Sequence, residues 1–437
     1  NGVVEMSMDV PGLVQTSLNL GRLTSDEASL RASFMIRSSI NSQKNAVASR
    51  LARLAEALGG QTELDSDYSA WPYRPESPLR DRVAEVFYEQ YGEKPRIGAG
   101  ASAPRQKMYS EDAMLIVQKF GGSSLAGTER LRRAAGIAAE ARRRGHSVLV
   151  VVSAMGDTTD ELLDMAHEIS PQPPARELDA LISTGEQQSA ALMAITLESM
   201  GLAARSFTGW QAGIITDGSH AEARIEMIAA GELAAALERG KIAVVSGFQG
   251  VSPEGSITTL GRGGSDTTAV ALAAALDAES CEIYTDVDGI YTADPRIVSG
   301  ARRLEEIDFR DMLLLAGAGS QVLHDRSVAL ALANDVEIRL LSSFEPGRGS
   351  RVRLLADAER PDYAGVTRSE ARSEITLAGR AAGTATLSEL VIALSKSGIP
   401  VLSGSSGEGW VTVRVAPAQM IPALELTHTA YLRQRAE

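Results

Sequence analysis

The chain has 437 residues, of which 44% are hydrophobic and 23% charged, and its mean hydropathy is −0.05. These values indicate a soluble globular protein of two or three domains, and no apolar run reaches the length of a membrane span. The formal net charge of −13 argues against a nucleic-acid partner, since phosphates would be repelled without a dense basic face.

The amino-terminal stretch predicts no export signal, because it has neither a basic region nor an apolar core. A single cysteine, Cys281, excludes an internal disulfide and lies in an apolar strand, where a core position is expected. We therefore expect a cytoplasmic location and no membrane partner.

The first part of the chain is predicted to be a small α+β unit. Residues 3–8, 13–20 and 29–38 alternate apolar and polar side chains, which is typical of half-buried strands. Residues 42–58 and 79–91 are predicted helices, so helices should cover a mostly antiparallel sheet.

A strand over residues 115–120 opens a different pattern. Gly121 and Gly122 break it, and Ser123 and Ser124 are hydroxyl caps for a helix that should run to about Arg144. Lys119 is thereby placed at the carboxyl end of a strand, beside a helix amino terminus. In an open α/β sheet that edge is where ligands bind.

A glycine-rich loop over residues 260–266 is the second candidate site. It precedes a helix of small residues through Leu276, a strand over 281–285, and an acidic turn over 286–289. Backbone N–H groups at such a helix start favour an anion, and Arg262 can grip a carboxylate or phosphate. Asp266 and Asp286 could each hold Mg²⁺ or orient a lysine.

The loop fits neither common nucleotide fingerprint. No Gly-Lys-Ser/Thr follows it at Walker A spacing, and the third glycine is misplaced for a dinucleotide fold. Taken alone, it is equally well interpreted as a tight strand-to-helix turn with solvated charges.

Strands and helices alternate between residues 114 and 355, with helices expected over 177–200 and 221–239 and strands over 147–153, 203–207 and 242–247. This alternation predicts an α/β fold, with a mainly parallel sheet between helix layers. Residues 363–432 predict a smaller α+β unit. Its strands are expected at 363–367, 374–378, 401–403 and 410–415, and its helices at 386–397 and 418–432.

Several motifs in this region resemble those of aspartate kinases, within the amino-acid kinase family. The matching segments lie at residues 118–124, 152–162, 183–186, 206–209, 247–251, 261–266 and 285–296. The resemblance implies the amino-acid kinase fold and the transfer of the γ-phosphate of MgATP to the side-chain carboxylate of L-aspartate. ATP and Mg²⁺ are the implied cofactors and L-aspartate the implied partner.

The same resemblance implies roles for individual residues. Lys119 and Asp266 are the implied catalytic pair. Aspartate would be bound by Ser153, Thr159, Glu186, Arg262, Gly263, Gly264 and Ser265. ATP would be bound by Lys119, Phe120, Gly121, Gly122, Thr285, Asp286, Tyr291, Arg296, Gln321 and Val322. No metal ligand is assigned to the protein.

The chain departs from the family pattern at four positions. Gln321 stands where lysine is usual, Asp325 where proline is frequent, Ala221 where glycine is usual, and Trp210 where a small residue is usual. The first change predicts weaker ATP binding, and Trp210 is expected to reshape the approach to the site. His220 and His324 lack the spacing of a metal pair, so a structural role is preferred for both.

Residues 1–98 resemble a fragment of a bacterial Xaa-His dipeptidase of the M20 zinc type. No histidine precedes His146, so the fragment lacks the ligands that a catalytic zinc requires, and no peptidase activity is expected. Residues 99–113 are the expected linker and 114–355 the expected kinase domain.

Residues 356–437 resemble an abbreviated ACT regulatory domain. The resemblance implies a lysine or threonine effector, bound between paired copies. Because one copy is present here, the second would come from another chain, and a homodimer is expected.

Two alternatives to an aspartate kinase remain open from the sequence. One is a kinase for another acidic substrate, such as glutamate or an N-acyl amino acid. The other is a regulatory chain with impaired catalysis, marked by Gln321 and Trp210.

Overall fold

A computed structural model describes residues 2–6, 14–25, 30–38, 41–57, 62, 114–320, 322–345, 347 and 349–432. The chain divides into two compact units, residues 1–106 and residues 107–437. The predicted helix over 79–91, the expected linker over 99–113 and Gln321 lie outside the described residues. None of the helices in the described parts combines the length and apolar composition needed to cross a bilayer.

The described residues of the first unit form an antiparallel sheet of three strands and one helix, in agreement with the pattern predicted for residues 3–58. The elements are β1 Gly2–Met6, β2 Val14–Ser25, β3 Leu30–Ser38 and α1 Asn41–Ala57. Strand β2 pairs with both neighbours and continues past its predicted end at residue 20. The register shifts between Leu20 and Arg22, so Gly21 is accommodated as a bulge and does not end the strand.

The second unit begins with alternating strands and helices. They are β4 Leu115–Phe120, α2 Gly122–Leu125, α3 Thr128–Arg143, β5 Ser147–Val152, α4 Thr158–Ile169, α5 Ala175–Ile182, α6 Thr184–Ser199, β6 Ala204–Phe207, β7 Ile214–Thr216, β8 Ile225–Ile228, α7 Gly231–Glu238, β9 Ile242–Ser246, β10 Gln249–Val251, β11 Ile257–Thr259, α8 Gly264–Ala275 and β12 Ser280–Thr285.

The next elements complete the main sheet. They are β13 Ile290–Tyr291, β14 Arg303–Leu304, β15 Glu306–Asp308, α9 Phe309–Gly317, α10 Asp325–Asn334, β16 Ile338–Ser342 and β17 Ser350–Arg353. The eight strands of this sheet lie in the order β15-β17-β16-β12-β4-β5-β9-β6. All neighbours are parallel except β16 and β17. The predicted fold class, a mainly parallel sheet within an α/β fold, is confirmed.

Helices cover both faces of this sheet. One apolar cluster joins the strands to α7, α8, α9 and α10, and the other joins them to α3 and α6. Strand β4 has neighbours on both sides and helices on both faces, which explains why all six of its residues are buried. Lys119 lies on this central strand.

Two predicted helices are each divided in the structure. The helix expected over residues 123–144 is interrupted at Gly127, whose φ of 92° is left-handed, and becomes α2 and α3. The helix expected over 177–200 is divided at Ser183 into α5 and α6.

The helix predicted over residues 221–239 is wrong in its first half. Residues 225–228 form β8, which pairs antiparallel with β7 in a second sheet of order β11-β10-β7-β8. Ile225 and Ile228 favour a strand, and pairing with β7 outweighs the helical pattern downstream. Helix α7 starts only at Gly231.

The carboxyl-terminal part has its own core. Strands β18 Gly365–Ser369, β19 Glu374–Ala378, β20 Val401–Gly407 and β21 Trp410–Val415 form an antiparallel sheet of order β18-β19-β21-β20. Helices α11 Thr384–Lys396 and α12 Met420–Tyr431 bury a separate apolar cluster against it. These elements match the predicted α+β pattern.

Candidate active site

The candidate residues collect at the carboxyl ends of the parallel strands. Lys119 lies at the end of β4, Ser153 follows β5, and Thr285 ends β12. Strands β4 and β5 are direct neighbours, as are β4 and β12. In open α/β sheets ligands bind at this edge, so the fold alone indicates that a binding site lies here.

Lys119 and Asp266 form a nearly buried ion pair. The Nζ atom of Lys119 lies 2.6 Å from Oδ1 of Asp266, and the two side chains are 11% and 14% exposed. Asp266 is the last residue of the glycine-rich loop and stands in the first turn of α8. The sequence left open whether Asp266 orients the lysine or holds Mg²⁺, and the contact favours orientation of the lysine.

Glu186 is the second buried charge at this edge. It lies in the first turn of α6, is 4% exposed, and its Oε1 atom accepts a hydrogen bond of 3.1 Å from the backbone N–H of Ala154. The other carboxylate oxygen is buried and has no hydrogen-bond partner within the described parts of the chain.

Burial raises the pKa of Glu186 from 4.5 to about 7. The hydrogen bond from Ala154, the residue's own backbone N–H and the positive charge of Lys119 act in the opposite direction and keep the pKa from rising further. A buried acceptor oxygen without a donor, close to a lysine, is suited to receive a cationic group of a ligand.

The glycine-rich loop needs its glycines for two physical reasons. Gly261 and Gly263 have φ values of 74° and 71°, in the left-handed region that favours glycine. A β-carbon on Gly263 would lie 2.4 Å from the ring of His324, so the loop packs directly on that histidine. The loop therefore has no room for a side chain at Gly263, where it reaches the start of α8.

The remaining predicted aspartate-binding residues differ in their exposure to solvent. Gly264 and Ser265 are buried, and Ser265 packs against Gly247 at the end of β9. Ser153 and Thr159 are half-buried, whereas Arg262 is exposed. The structure thus brings the loop and the ends of β5 and β9 together, with the Arg262 side chain in solvent.

Two parts of the predicted phosphate-binding turn have partners within the protein. The N–H of Gly121 donates to the carbonyl of Tyr284 at 3.2 Å, so it is already used within the protein. The ring of Phe120 is fully buried and stacks on Tyr284 with centroids 4.8 Å apart, so the ring belongs to the core, and a role of Phe120 in ATP binding stays a prediction. Both contacts involve Tyr284 because its strand, β12, lies directly beside β4.

Gly122 is required by a close approach. A β-carbon there would lie 2.7 Å from the carbonyl oxygen of Ala154. The turn after β4 and the turn after β5 therefore touch, and any larger residue at position 122 would separate them.

The predicted nucleotide segment is more exposed. Thr285 donates from Oγ1 to the exposed Asp286 at 3.0 Å, and the hydroxyl of Tyr291 donates to Asp288 at 3.0 Å. The Arg296 guanidinium makes two hydrogen bonds with Asp294, at 3.0 and 2.9 Å, and lowers the pKa of that carboxyl. Val322 is half-buried, and Gln321 lies outside the described residues.

The four unusual positions of the sequence have distinct environments. Ala221, where glycine is usual, has a left-handed φ of 69°, which explains the usual choice of glycine. Trp210 is exposed in the turn between β6 and β7. Asp325 begins α10, where its carboxylate accepts from the N–H of Arg326. The predicted effect of Gln321 on ATP binding stays a prediction.

The two histidines considered as metal ligands have carboxylate partners. His220 contacts Asp179 at 2.8 Å, and His324 contacts Asp325 at 2.9 Å. No group of three His, Cys, Asp or Glu side chains suited to a metal ion occurs among the residues with assigned positions.

Two polar groups beside the site could not be predicted from the sequence. Asp179 is buried in α5 and accepts hydrogen bonds from His220, Ala221 and Thr259. Arg326 donates to the carbonyl of Leu260, the first residue of the glycine-rich loop, at 2.8 Å. Both groups contact residues far away in the sequence, so no local pattern announces them.

Comparison with known proteins agrees with this geometry. The model of the amino acid kinase family matches residues 114–342. The aspartokinase of Mycolicibacterium smegmatis is 52% identical over 269 residues, covering 61% of this chain and 64% of that protein. Aspartokinase 2 of Bacillus subtilis is 47% identical over 288 residues, covering 66% of this chain and 71% of that protein.

Solved structures give the same result. Aspartate kinase from Synechocystis superposes with a TM-score of 0.50 at 30% identity, covering 74% of this chain and 70% of that one. Escherichia coli aspartokinase III in complex with aspartate and ADP superposes with a TM-score of 0.54 at 27% identity, covering 68% and 78%. The chain spans somewhat less than two thirds of the length of its mycobacterial relative. Since the family match covers more than half of its residues, this chain belongs to the amino acid kinase family.

Proposed function

We propose that the chain is an aspartate kinase, which transfers the γ-phosphoryl group of MgATP to the side-chain carboxylate of L-aspartate. The observation that carries the proposal is the buried group formed by Lys119, Asp266 and Glu186 at the carboxyl edge of the sheet. The aspartokinase relatives and the E. coli enzyme solved with aspartate and ADP support the choice of substrates.

The substrate itself supplies the nucleophile in this reaction. A side-chain carboxylate oxygen of aspartate forms a bond with the γ-phosphorus, the bond to the β–γ bridging oxygen breaks, and ADP leaves with that electron pair. The attacking carboxylate is ionised, so no proton has to be removed. The protein therefore has to position two anions and neutralise the charge on the transferring group.

Lys119 is the proposed neutralising group. Its ammonium is fixed by Asp266 at 2.6 Å and lies 3.6 Å from the position that a β-carbon on Gly121 would take, beside the turn after β4. A charge held in place before the reaction costs little reorganisation in the transition state. Mg²⁺ enters with the phosphates of ATP as part of that substrate.

Glu186 is the proposed acceptor for the α-ammonium of aspartate. Its unpartnered oxygen would gain a charged donor, which would offset the cost of burying the carboxylate. Arg262 and Ser265 are the proposed partners of the α-carboxylate, with Ser153 and Thr159 beside them. The exposed Arg262 side chain has to turn towards the ligand to do so.

A hydroxamate assay tests the proposal. Hydroxylamine traps acyl phosphates, and the full chain is supplied with MgATP and aspartate, glutamate or no acceptor. Hydroxamate formed with aspartate alone supports the proposal, and a preference for glutamate assigns the chain to another acidic substrate. No product with any acceptor would identify the chain as catalytically impaired.

The carboxyl-terminal region is the proposed ACT-like domain, within residues 356–437. One structural relative, E. coli aspartokinase III, was solved with lysine and aspartate, which supports lysine as the effector class. We expect paired copies from two chains to form the effector site. Light scattering with and without lysine and threonine checks this, and a monomer unchanged by either would contradict it.

The unit formed by residues 1–106 is proposed to take no part in phosphoryl transfer. The likeness of residues 1–98 to a dipeptidase stays a prediction, as does the expected lack of peptidase activity. Deletion of residues 1–113 should leave the hydroxamate signal with aspartate unchanged.

A further inference from the structure

Asp179 connects three segments of the chain. It lies in α5, is 1% exposed, and its carboxylate accepts hydrogen bonds from the His220 ring at 2.8 Å, the Ala221 N–H at 3.1 and 3.2 Å, and the Thr259 hydroxyl and N–H at 2.6 and 3.2 Å. Every one of these contacts brings a donor to the carboxylate.

A carboxylate suits this arrangement because both of its oxygens accept. One oxygen receives His220, Ala221 and the Thr259 N–H, and the other receives Ala221 and the Thr259 hydroxyl. An asparagine of the same shape would place its NH₂ group against the Ala221 N–H in either orientation of the amide, and against the Thr259 N–H as well in one of them. Buried donors left without an acceptor are costly, so the segments would shift apart to find water.

Two of the connected segments lead directly to residues proposed to hold aspartate, and the third packs on one of those segments. Helix α5 is followed at once by α6, whose first turn carries Glu186. Thr259 ends β11 and leads into the loop that contains Arg262 and Ser265. Ala221 faces the same loop, because its carbonyl oxygen would lie 3.0 Å from a β-carbon on Gly261.

We infer that Asp179 is a positioning residue that sets the affinity for the amino-acid substrate by fixing Glu186 and the Arg262 loop relative to each other. This inference rests on the proposed function. It adds a residue that touches neither substrate and acts through the two segments that do.

The nucleotide side supplies an internal comparison. The segment from Thr285 to Arg296 shares no hydrogen bond with Asp179 among the contacts of the described residues. Loss of Asp179 is therefore expected to raise KM for aspartate while leaving KM for ATP unchanged. A general loss of folded protein would lower the active fraction without moving either KM.

The test uses the full chain with Asp179→Asn. The matched control is Asp217→Asn, because Asp217 also accepts backbone N–H groups, from Ser219 and Arg224, but only within its own turn. We expect Asp179→Asn to raise KM for aspartate by about tenfold or more and KM for ATP by less than about twofold. The control should change neither value. Equal changes in both KM values, or an unchanged KM for aspartate, would overturn the inference.

A milder variant covers the case in which Asp179→Asn does not fold. Thr259→Val keeps the shape of the buried side chain and removes only the hydroxyl that contacts Asp179. The same selective rise in KM for aspartate is expected, at about threefold to tenfold. A variant that folds and shows no such rise would contradict the inference.

Hydrogen exchange separates this inference from the proposed function. The amides of Ala221 and Thr259 should exchange faster in Asp179→Asn than in the wild type, and at the wild-type rate in Asp217→Asn. If the wild type makes no acyl phosphate from aspartate, the proposed function fails, and the exchange rates still decide whether Asp179 holds the segments together. Unchanged exchange in Asp179→Asn would refute the positioning role.

Discussion

The two sides of the proposed active site are built differently. The side proposed for aspartate contains buried polar groups beside the exposed Arg262, with Lys119 9%, Glu186 4% and Asp179 1% exposed. The side proposed for the nucleotide carries exposed groups, such as Asp286 and the 83% exposed side chain of Arg296. A buried charge keeps its position because its partners are fixed, whereas an exposed one is screened by water. The buried groups of the amino-acid side are thus organised before any ligand arrives, and only Arg262 has to move.

The nucleotide side is anchored to the carboxyl-terminal region. Thr292, next to Tyr291, lies 2.9 Å from Nε2 of the buried His428 in α12. Arg302 donates to the carbonyl of Leu432 at 3.0 Å, and the N–H of Val366 donates to the carbonyl of Thr292 at 2.8 Å. Changes in the carboxyl-terminal region should therefore reach the nucleotide segment before they reach the aspartate side.

Replacement of Lys119 by methionine should have the largest effect. The variant removes the positive charge proposed to face the transferring phosphoryl group, so kcat should fall by about 1000-fold or more with smaller changes in both KM values. Steady-state hydroxamate formation measures this. Lys241→Met is the control, because Lys241 directly precedes β9 and so lies at the amino-terminal ends of the strands, away from the candidate site. A Lys119 variant with near-normal kcat would remove the lysine from the mechanism.

Glu186→Gln tests the aspartate side through the pH dependence of kcat/KM. Because the pKa of Glu186 is about 7, the wild-type kcat/KM for aspartate should fall as the pH drops below about 7, where the carboxylate gains a proton and loses its charge. The glutamine variant should be slow at every pH and lack this dependence. Glu198→Gln, an exposed site on the same helix, should keep the wild-type profile.

Glu186→Gln should lower activity but raise the stability of the folded protein at neutral and higher pH. A carboxyl whose pKa is raised on folding binds more protons in the folded state, so its contribution to stability is lost as the pH rises from about 4.5 to about 7. Glu186→Gln should therefore unfold at higher urea concentration than the wild type above pH 7, by up to about 3 kcal/mol in unfolding free energy. Equal stability of the two proteins at pH 8 would show that Glu186 is not buried as a charge.

His428→Leu tests the nucleotide side and should have the smallest effect. Removing the contact with Thr292 is expected to cost about 1–2 kcal/mol of stability and to raise KM for ATP severalfold, leaving KM for aspartate unchanged. Burial and the nearby Arg302 lower the pKa of His428, so wild-type stability should also fall as the pH drops below 6.5. The leucine variant should lack that fall.

The control for this prediction is His167→Leu, at an exposed position of α4. Urea unfolding at pH 5.5 and 7.5 compares the three proteins. A rise in KM for aspartate equal to that for ATP in His428→Leu would remove the distinction between the two sides.

The sequence was informative wherever a signal is local. The apolar run of β4, the glycines at 121 and 122, and the loop over 260–266 predicted the sheet edge and the placement of Lys119. The exposure of Arg262 and the hydrogen bond from the Gly121 N–H to Tyr284 could not be predicted from the sequence, because both depend on neighbours that the fold brings in.

Long-range polar pairs were the main features that the sequence did not predict. Asp179 contacts Thr259 across 80 positions, and His428 contacts Thr292 across 136. A lone aspartate on a helix and a lone histidine on another carry no periodic signal. The strand at Ile225–Ile228 was missed for a related reason, since pairing with β7 decided its conformation.

The most direct test of the proposed reaction follows oxygen from aspartate to phosphate. The full chain is given MgATP, hydroxylamine and L-aspartate labelled with ¹⁸O in its side-chain carboxyl group. Hydroxylamine attacks the carbonyl carbon of the acyl phosphate, so the released phosphate should carry one ¹⁸O atom in its mass spectrum. Phosphate without label would show that the aspartate side chain never bonded to phosphorus, and would contradict the proposal.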